Sequence, residues 1–174
     1  MSRDFSRFPV PALVATARDA GDDPRSTVYV SRGAGKLIVC PSTSIEKGFY
    51  NEQEPLVLIP WDAPAAALGE SIWESLLLFR KTPGLNVRSS KKSDWPAYRA
   101  SGIKSMREFE REYVRVSVIA YPIVLRVEAS VPGDLADGLF VGCAISNACE
   151  FEQLGDLIRL SSRCSLRIAE EEFG

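Results

Sequence analysis

A change of hydrophobic period near Tyr113 limits most sharply what this chain can fold into. Before it, Met106, Phe109 and Tyr113 recur at helical spacing; after it, Val114, Val116 and Val118 alternate with Arg115 and Ser117. Ile123, Leu125 and Val127 then alternate with Val124 and Arg126. Alternation sends successive side chains to opposite faces of an extended chain, so these segments are half-buried strands, joined at Ala120-Tyr121-Pro122. Elsewhere, too, strand-like and helix-like segments come in groups and not in strict succession. That grouping predicts an α+β fold, with a mostly antiparallel sheet and helices on one side of it. The 174 residues suit one domain. Its core is expected over residues 25–169, with 1–24 an N-terminal extension or arm and 170–174 a frayed tail.

Two β-branched runs, Val28-Tyr29-Val30 and Leu37-Ile38-Val39-Cys40, flank a turn holding Gly33 and Gly35, which predicts a hairpin. Gly35-Lys36 resembles the end of a phosphate-binding loop. The earlier glycine of that motif would fall at Val30, however, and Leu37 stands where a hydroxyl should meet magnesium. Ser42 to Glu54 is expected as a polar connection, and Pro55 to Pro60 as a strand buried on both faces. Asp62 and Pro64 open a helix to about Lys81, with Leu68, Ile72, Leu76 and Phe79 on its inner side. Leu85 to Lys92 is an expected exposed loop. Ser93-Asp94-Trp95-Pro96 opens a short helix, which Gly102 breaks, and Ser105-Met106-Arg107-Glu108 has capping-box form. Leu139 to Ile145 is an apolar run following a Pro- and Gly-rich turn. Asn147 then caps a helix to about Ser162, with Phe151, Leu154 and Ile158 inward, and Cys164, Leu166 and Ile168 alternate as a closing strand. Leu68-Gly69-Glu70-Ser71-Ile72 echoes Leu154-Gly155-Asp156-Leu157-Ile158, which similar packing faces explain without duplication.

A formal net charge of -2 gives no electrostatic footprint for nucleic acid. The basic group Arg88-Ser89-Ser90-Lys91-Lys92 has no interleaved aromatic residue and is better read as a solvated loop. The N-terminus breaks its apolar residues with Arg3, Asp4, Arg7, Arg18 and Asp19, unlike a signal peptide, and no run approaches the roughly 18 apolar residues of a membrane span. A cytoplasmic protein is expected.

Chemistry is hard to place. The chain has no histidine, the commonest proton acceptor near neutral pH, and its four cysteines form no CxxC pair, so no metal or other cofactor is expected. No GxSxG or SxxK arrangement supplies an activated nucleophile. The pairs Glu108 with Glu110 and Glu52 with Glu54 could exchange protons, but a solvated acidic face accounts for them more simply. Trp73 and Trp95 belong with amphipathic helices, while Trp61 sits where a strand ends and could anchor a partner. The chain is therefore expected not to be an enzyme.

The stretch from Trp95 to Arg111, with Gly102-Ile103-Lys104-Ser105-Met106-Arg107-Glu108-Phe109-Glu110 at its centre, resembles the immunity proteins of bacterial contact-dependent growth inhibition systems. Leu68 to Ile72, Asp137-Gly138 and Leu154-Gly155-Asp156 fall in the family's order, so the likeness spans roughly residues 55 to 162. It implies an antidote that binds the toxic C-terminal domain of a large effector, often a nuclease, and covers its active site without a cofactor. It also implies that Trp95, Gly102, Lys104, Ser105 and Phe109 hold the fold. A nuclease groove is basic, which makes Glu46, Glu52, Glu54 and Asp62 candidate toxin contacts, with Trp61 as anchor. A self-associating module using an open strand edge, and a small enzyme working through carboxylates and a cysteine, are the competing readings.

Overall fold

The computed structural model describes residues 22–33, 35–46, 49–81, 94–131 and 139–173. Its strands are β1 (Arg25–Ser31), β2 (Lys36–Glu46), β3 (Phe49–Glu52), β4 (Val57–Pro60), β5 (Arg80–Lys81), β6 (Tyr113–Ala120), β7 (Val124–Ser130) and β8 (Phe140–Ser146). The helices are α1 (Ala65–Leu77), α2 (Pro96–Ser101), α3 (Met106–Glu112) and α4 (Phe151–Phe173). All strands join one 8-stranded sheet in the order β3-β2-β1-β6-β7-β8, with β4 and β5 also on β2. Every pairing is antiparallel except the two-residue β5 against β2. The α+β architecture read from the sequence is the observed one.

Period-two patterning fixes the faces. Val28, Val30, Leu37, Val39, Val114, Val116, Val118, Leu125 and Val127 point to one side and form the main core with Leu68, Ile72, Trp73 and Leu76 of α1 and Leu154 and Ile158 of α4. Burying each such side chain contributes roughly 1.5–3 kcal/mol. Tyr29, Ile38 and Cys40 point the other way, against Ala97 of α2 and Phe109 of α3. Helices thus cover both faces of the sheet, not one. The expectation of one side failed because the β1–β2 hairpin is apolar on both faces, and each face requires cover.

α1 and α4 cross at unusually short range. A Cβ on Gly69 would lie 1.9 Å from the Phe151 carbonyl oxygen, and one on Gly155 would lie 2.0 Å from that of Ala65. Each glycine therefore seats the helix turn that precedes the other glycine. The repeated Leu-Gly dipeptide is this reciprocal contact.

Several elements depart from expectation. The segment 42–54 is not only a connection: β2 runs on to Glu46 and pairs antiparallel with β3, so Ser42 pairs with Glu52 and Ser44 with Tyr50. Its polar residues are buried (Ser42, Thr43 and Ser44), and Thr43 Oγ1 donates to the Arg80 carbonyl at 2.9 Å. β4 is a short outer strand whose Val57 and Leu58 are exposed, not a strand buried on both faces. α1 begins after Pro64 with no side-chain cap, so Asp62 does not cap it, and it ends at Leu77, before Phe79. The expected closing strand Cys164–Ile168 and the tail Glu170–Glu172 are helical, because α4 continues through Phe173. The inner face of this second half is written in serine. Ser161, Ser162 and Ser165 are buried, Ser162 Oγ donates to the Ile158 carbonyl at 2.7 Å, and Ser165 Oγ donates to the Ser130 carbonyl. A hydrophobic count misses such a face and sees only the half-buried Cys164, Leu166 and Ile168. Asn147 does not cap α4; its Nδ2 donates to the Pro122 carbonyl, and Gln153 Oε1 accepts from the Glu150 amide at 2.9 Å. Residues 1–21, the loop 85–92 with its basic cluster, and the 132–138 turn lie outside the described residues.

Candidate docking surfaces

The Trp95–Arg111 motif folds as one unit. Pro96 starts α2, Gly102 ends it in the left-handed region (φ 76°), and Ser105 Oγ accepts from the Glu108 amide at 3.2 Å to start α3. Lys36 Nζ donates to the Ala100 and Ser101 carbonyls at 3.2 and 3.0 Å, closing the C-terminus of α2. Phe109 is the centre of the unit, with the rings of Tyr29, Tyr98 and Tyr113 at 5.2, 5.6 and 5.0 Å. Trp95 is half-buried at the start of α2, and Lys104 is exposed in the turn. At the far end of α3, Glu112 accepts from Ser31 Oγ at 2.6 Å and from the Gly33 amide at 2.9 Å. Those two hydrogen bonds hold its carboxyl below the ordinary carboxylate value. The turn once compared with a phosphate loop is thus occupied by a side chain of the protein itself.

Of the five residues expected to meet a partner, the four with described side chains are divided between the two faces of the sheet. Glu52 accepts from Tyr29 Oη and from the Ala97 amide at 3.2 Å. Part of the residue remains solvent-accessible, but its carboxylate is enclosed; that burial raises its pKa, against the lowering effect of the Tyr29 and Ala97 hydrogen bonds. The same enclosure, with Glu52 adding to it, pushes the Tyr29 hydroxyl well up. Glu52 ties β1 and β3 to α2 and is not a free surface charge. Glu54 is exposed and pairs with Arg99 at 3.1 Å. Trp61 lies on the opposite side, packed on the α1/α4 core, with Asp62 exposed beside it. The Glu46 side chain lies outside the described residues.

The surroundings of Trp61 went unread in the sequence. Arg159 and Arg163 sit over its ring at 5.7 and 5.9 Å, and Arg159 Nη2 donates to the Trp61 carbonyl at 3.0 Å and to that of Ala63. Their spacing of four residues, one helix turn, was the available signal, masked by the strand expected from residue 164 onward.

The outer edges of the sheet also differ from each other. On one side stand β3 and β4, each four residues long, β3 ending in Glu52 and β4 in Pro60. Short, charged or proline-bearing edges resist strand addition. On the other side stands β8, seven residues with no charge and no proline. Among the described residues it has no neighbour beyond β7. Near it Phe140 is 56% exposed, Leu139 46% and Ile123 75%. The sequence marked Leu139 to Ile145 as an apolar run but carried no indication that it would lie outermost.

Among the described residues no three acidic or cysteine side chains are grouped to hold a metal ion. Cys40 and Cys149 are buried, which raises both thiols, Cys149 to about 11. No helix among the described residues is long and apolar enough to cross a membrane.

No family model matches the chain, and no curated protein matches it significantly. Four chains of solved structures do match. A protein of unknown function from Neisseria meningitidis superposes with a TM-score of 0.62 at 16% identity, over 84% of this chain and 95% of its own. A chain of the CdiA-CT/CdiI toxin and immunity complex from Yersinia pseudotuberculosis superposes with a TM-score of 0.60 at 10% identity, over 80% of this chain and 95% of its own. At such identities the likeness is one of fold, and this chain shares that fold over nearly the whole length of both.

Proposed function

We propose that this chain is an immunity-type protein: it binds the toxic domain of a contact-dependent growth inhibition effector in the cytoplasm and blocks it by covering its active site, without turnover and without a cofactor. The observation that carries this reading is the shared fold with a chain of a toxin and immunity complex. The sequence resemblance centred on residues 102–110 supports it independently, since that stretch builds the α2–α3 layer over one face of the sheet. A stoichiometric blocker needs a stable surface more than a tuned proton acceptor. The chain's titratable cluster fits that need: Tyr29 and Glu52 are engaged with each other and enclosed. Nuclease toxins present basic grooves, and Glu54 and Asp62 are the two expected contacts whose residues are exposed to steer one.

The experiment is co-expression with the toxin domain that the reading places immediately upstream in the genome. The complex should copurify at fixed stoichiometry, and the chain should restore growth to cells expressing that toxin. Failure to bind it, or catalytic turnover by the purified chain that one point substitution abolishes, would sink the reading.

A further inference from the structure

The geometry points to β8 as a homodimer interface, in which a second copy of this chain pairs antiparallel with β8 about a twofold axis at Cys143. Two hydrogen bonds set which groups of β8 face away from β7. The Leu139 carbonyl accepts from the Val131 amide at 2.8 Å, and the Asn147 amide donates to the Ile123 carbonyl at 3.2 Å. Odd-numbered residues therefore turn their peptide groups toward β7, and Phe140, Gly142, Ala144 and Ser146 turn theirs outward. Antiparallel self-pairing needs outward residues opposite outward residues. With the axis at Cys143, Phe140 meets Ser146 of the partner subunit and Gly142 meets Ala144 of the partner subunit. This register uses the whole strand, and an axis elsewhere leaves outward groups unpaired.

Charge and shape choose a second copy as occupant. From Leu139 to Cys149 there is no charged residue, so a twofold axis, which sets each residue against its own neighbours, brings no like charges together. Small Gly142 and Ala144 keep the exposed face of the edge flat, whereas the strands of the opposite edge are each only four residues long and end in Glu52 and Pro60. The flanking helix extends the contact. Ser161 of α4 touches Cys143 at 3.3 Å and so marks the flank of α4 that lies over β8. The helical repeat puts half-buried Leu157, Cys164 and Ile168 on that flank, with Leu160, 57% exposed, beside it. A perpendicular axis leaves both copies of α4 on the same face of the joined sheet. A strand pair alone buries less than the roughly 1,200 Å² of a stable interface, so this flank is needed and the dimer should dissociate on dilution.

The register supplies its own test. Cys143 residues opposite one another in a non-hydrogen-bonded pair stand about 4.5 Å apart at Cα, within disulfide reach. Mild copper–phenanthroline oxidation of the purified full chain should give a cross-linked dimer that Cys143→Ser abolishes and Cys164→Ser leaves. Light scattering over a concentration series should show a monomer–dimer equilibrium, which Ala144→Lys shifts to monomer with its circular dichroism unchanged and its melting temperature equal to that of the wild type at dilutions where both are monomeric. Monomer at every concentration, a cross-link that survives Cys143→Ser, or a dimer that survives Ala144→Lys would each overturn the proposal. None of these readouts involves a toxin, so the outcome is independent of the immunity reading.

Discussion

Gly69 and Gly155 oppose the usual rule for helices. In an open helix, alanine in place of glycine would stabilise by roughly 0.5–1 kcal/mol through backbone entropy. Here the added carbon falls on a carbonyl oxygen of the neighbouring helix, 1.9 Å away for Gly69 and 2.0 Å for Gly155, and the backbone must separate to admit it. Gly69→Ala and Gly155→Ala are each expected to lower stability by at least about 2 kcal/mol, the upper part of the range for overpacking. The double variant should cost less than the sum, since one separation relieves both contacts. Urea denaturation of the three variants measures this, and an increase in midpoint for either single variant would contradict the crossing. Glu52 supports a prediction of a different kind. Its carboxyl titrates above the ordinary value in the folded protein because it is buried, so folding favours its protonated form. Its contribution to stability is full below the ordinary carboxylate pKa and is lost as pH rises through the raised folded value. Relative to Glu52→Gln, the wild type should gain stability as pH falls across that window. Chemical denaturation of both proteins over a pH series provides the check, and a difference that does not vary with pH would refute it.

Among the elements, α3 has only seven residues and depends on its ends. Ser105 satisfies a free amide at its start, and Ser105→Ala should cost about 1 kcal/mol, read as a lower melting temperature with the spectrum unchanged. Phe109 carries more: it fills the second core between three tyrosine rings, and Phe109→Ala should cost about 3–5 kcal/mol, enough to unseat the α2–α3 layer. Both residues were readable in the sequence, one from the capping pattern and one from helical spacing. Glu52 was readable only as an acid. Its role as a tie depends on Tyr29 and Ala97, 23 and 45 residues away in sequence, which no local pattern connects to it.

Over the whole molecule, the acids expected as one toxin-facing patch are separated by the sheet, with Glu54 by α2 and Asp62 at the β4–α1 turn. Steering acts through the summed field and tolerates this separation. If the partner is a basic nuclease, Glu54→Lys with Asp62→Lys should slow association by up to about tenfold at low salt and much less at high salt, with the dissociation rate nearly unchanged. Stopped-flow mixing at two ionic strengths gives the answer, and an unaltered association rate would remove these acids from the docking surface.

The sequence by itself determined what depends on neighbours along the chain: the period-two strands of the hairpin and of β6 and β7, the turn glycines, the Ser105 cap, and the amphipathic faces of α1 and the first half of α4. Tertiary structure decided what depends on distant partners. It made the polar residues 42–46 and 49–52 into paired strands because Thr43 could reach Arg80, and it continued α4 past Ser162 because buried serines found a carbonyl and a thiol across the interface. It also left β4 and β8 outermost. Periodicity records which side of an element is buried against apolar neighbours; a face satisfied by hydrogen bonds, and a place at the edge of a sheet, leave no such record in the chain.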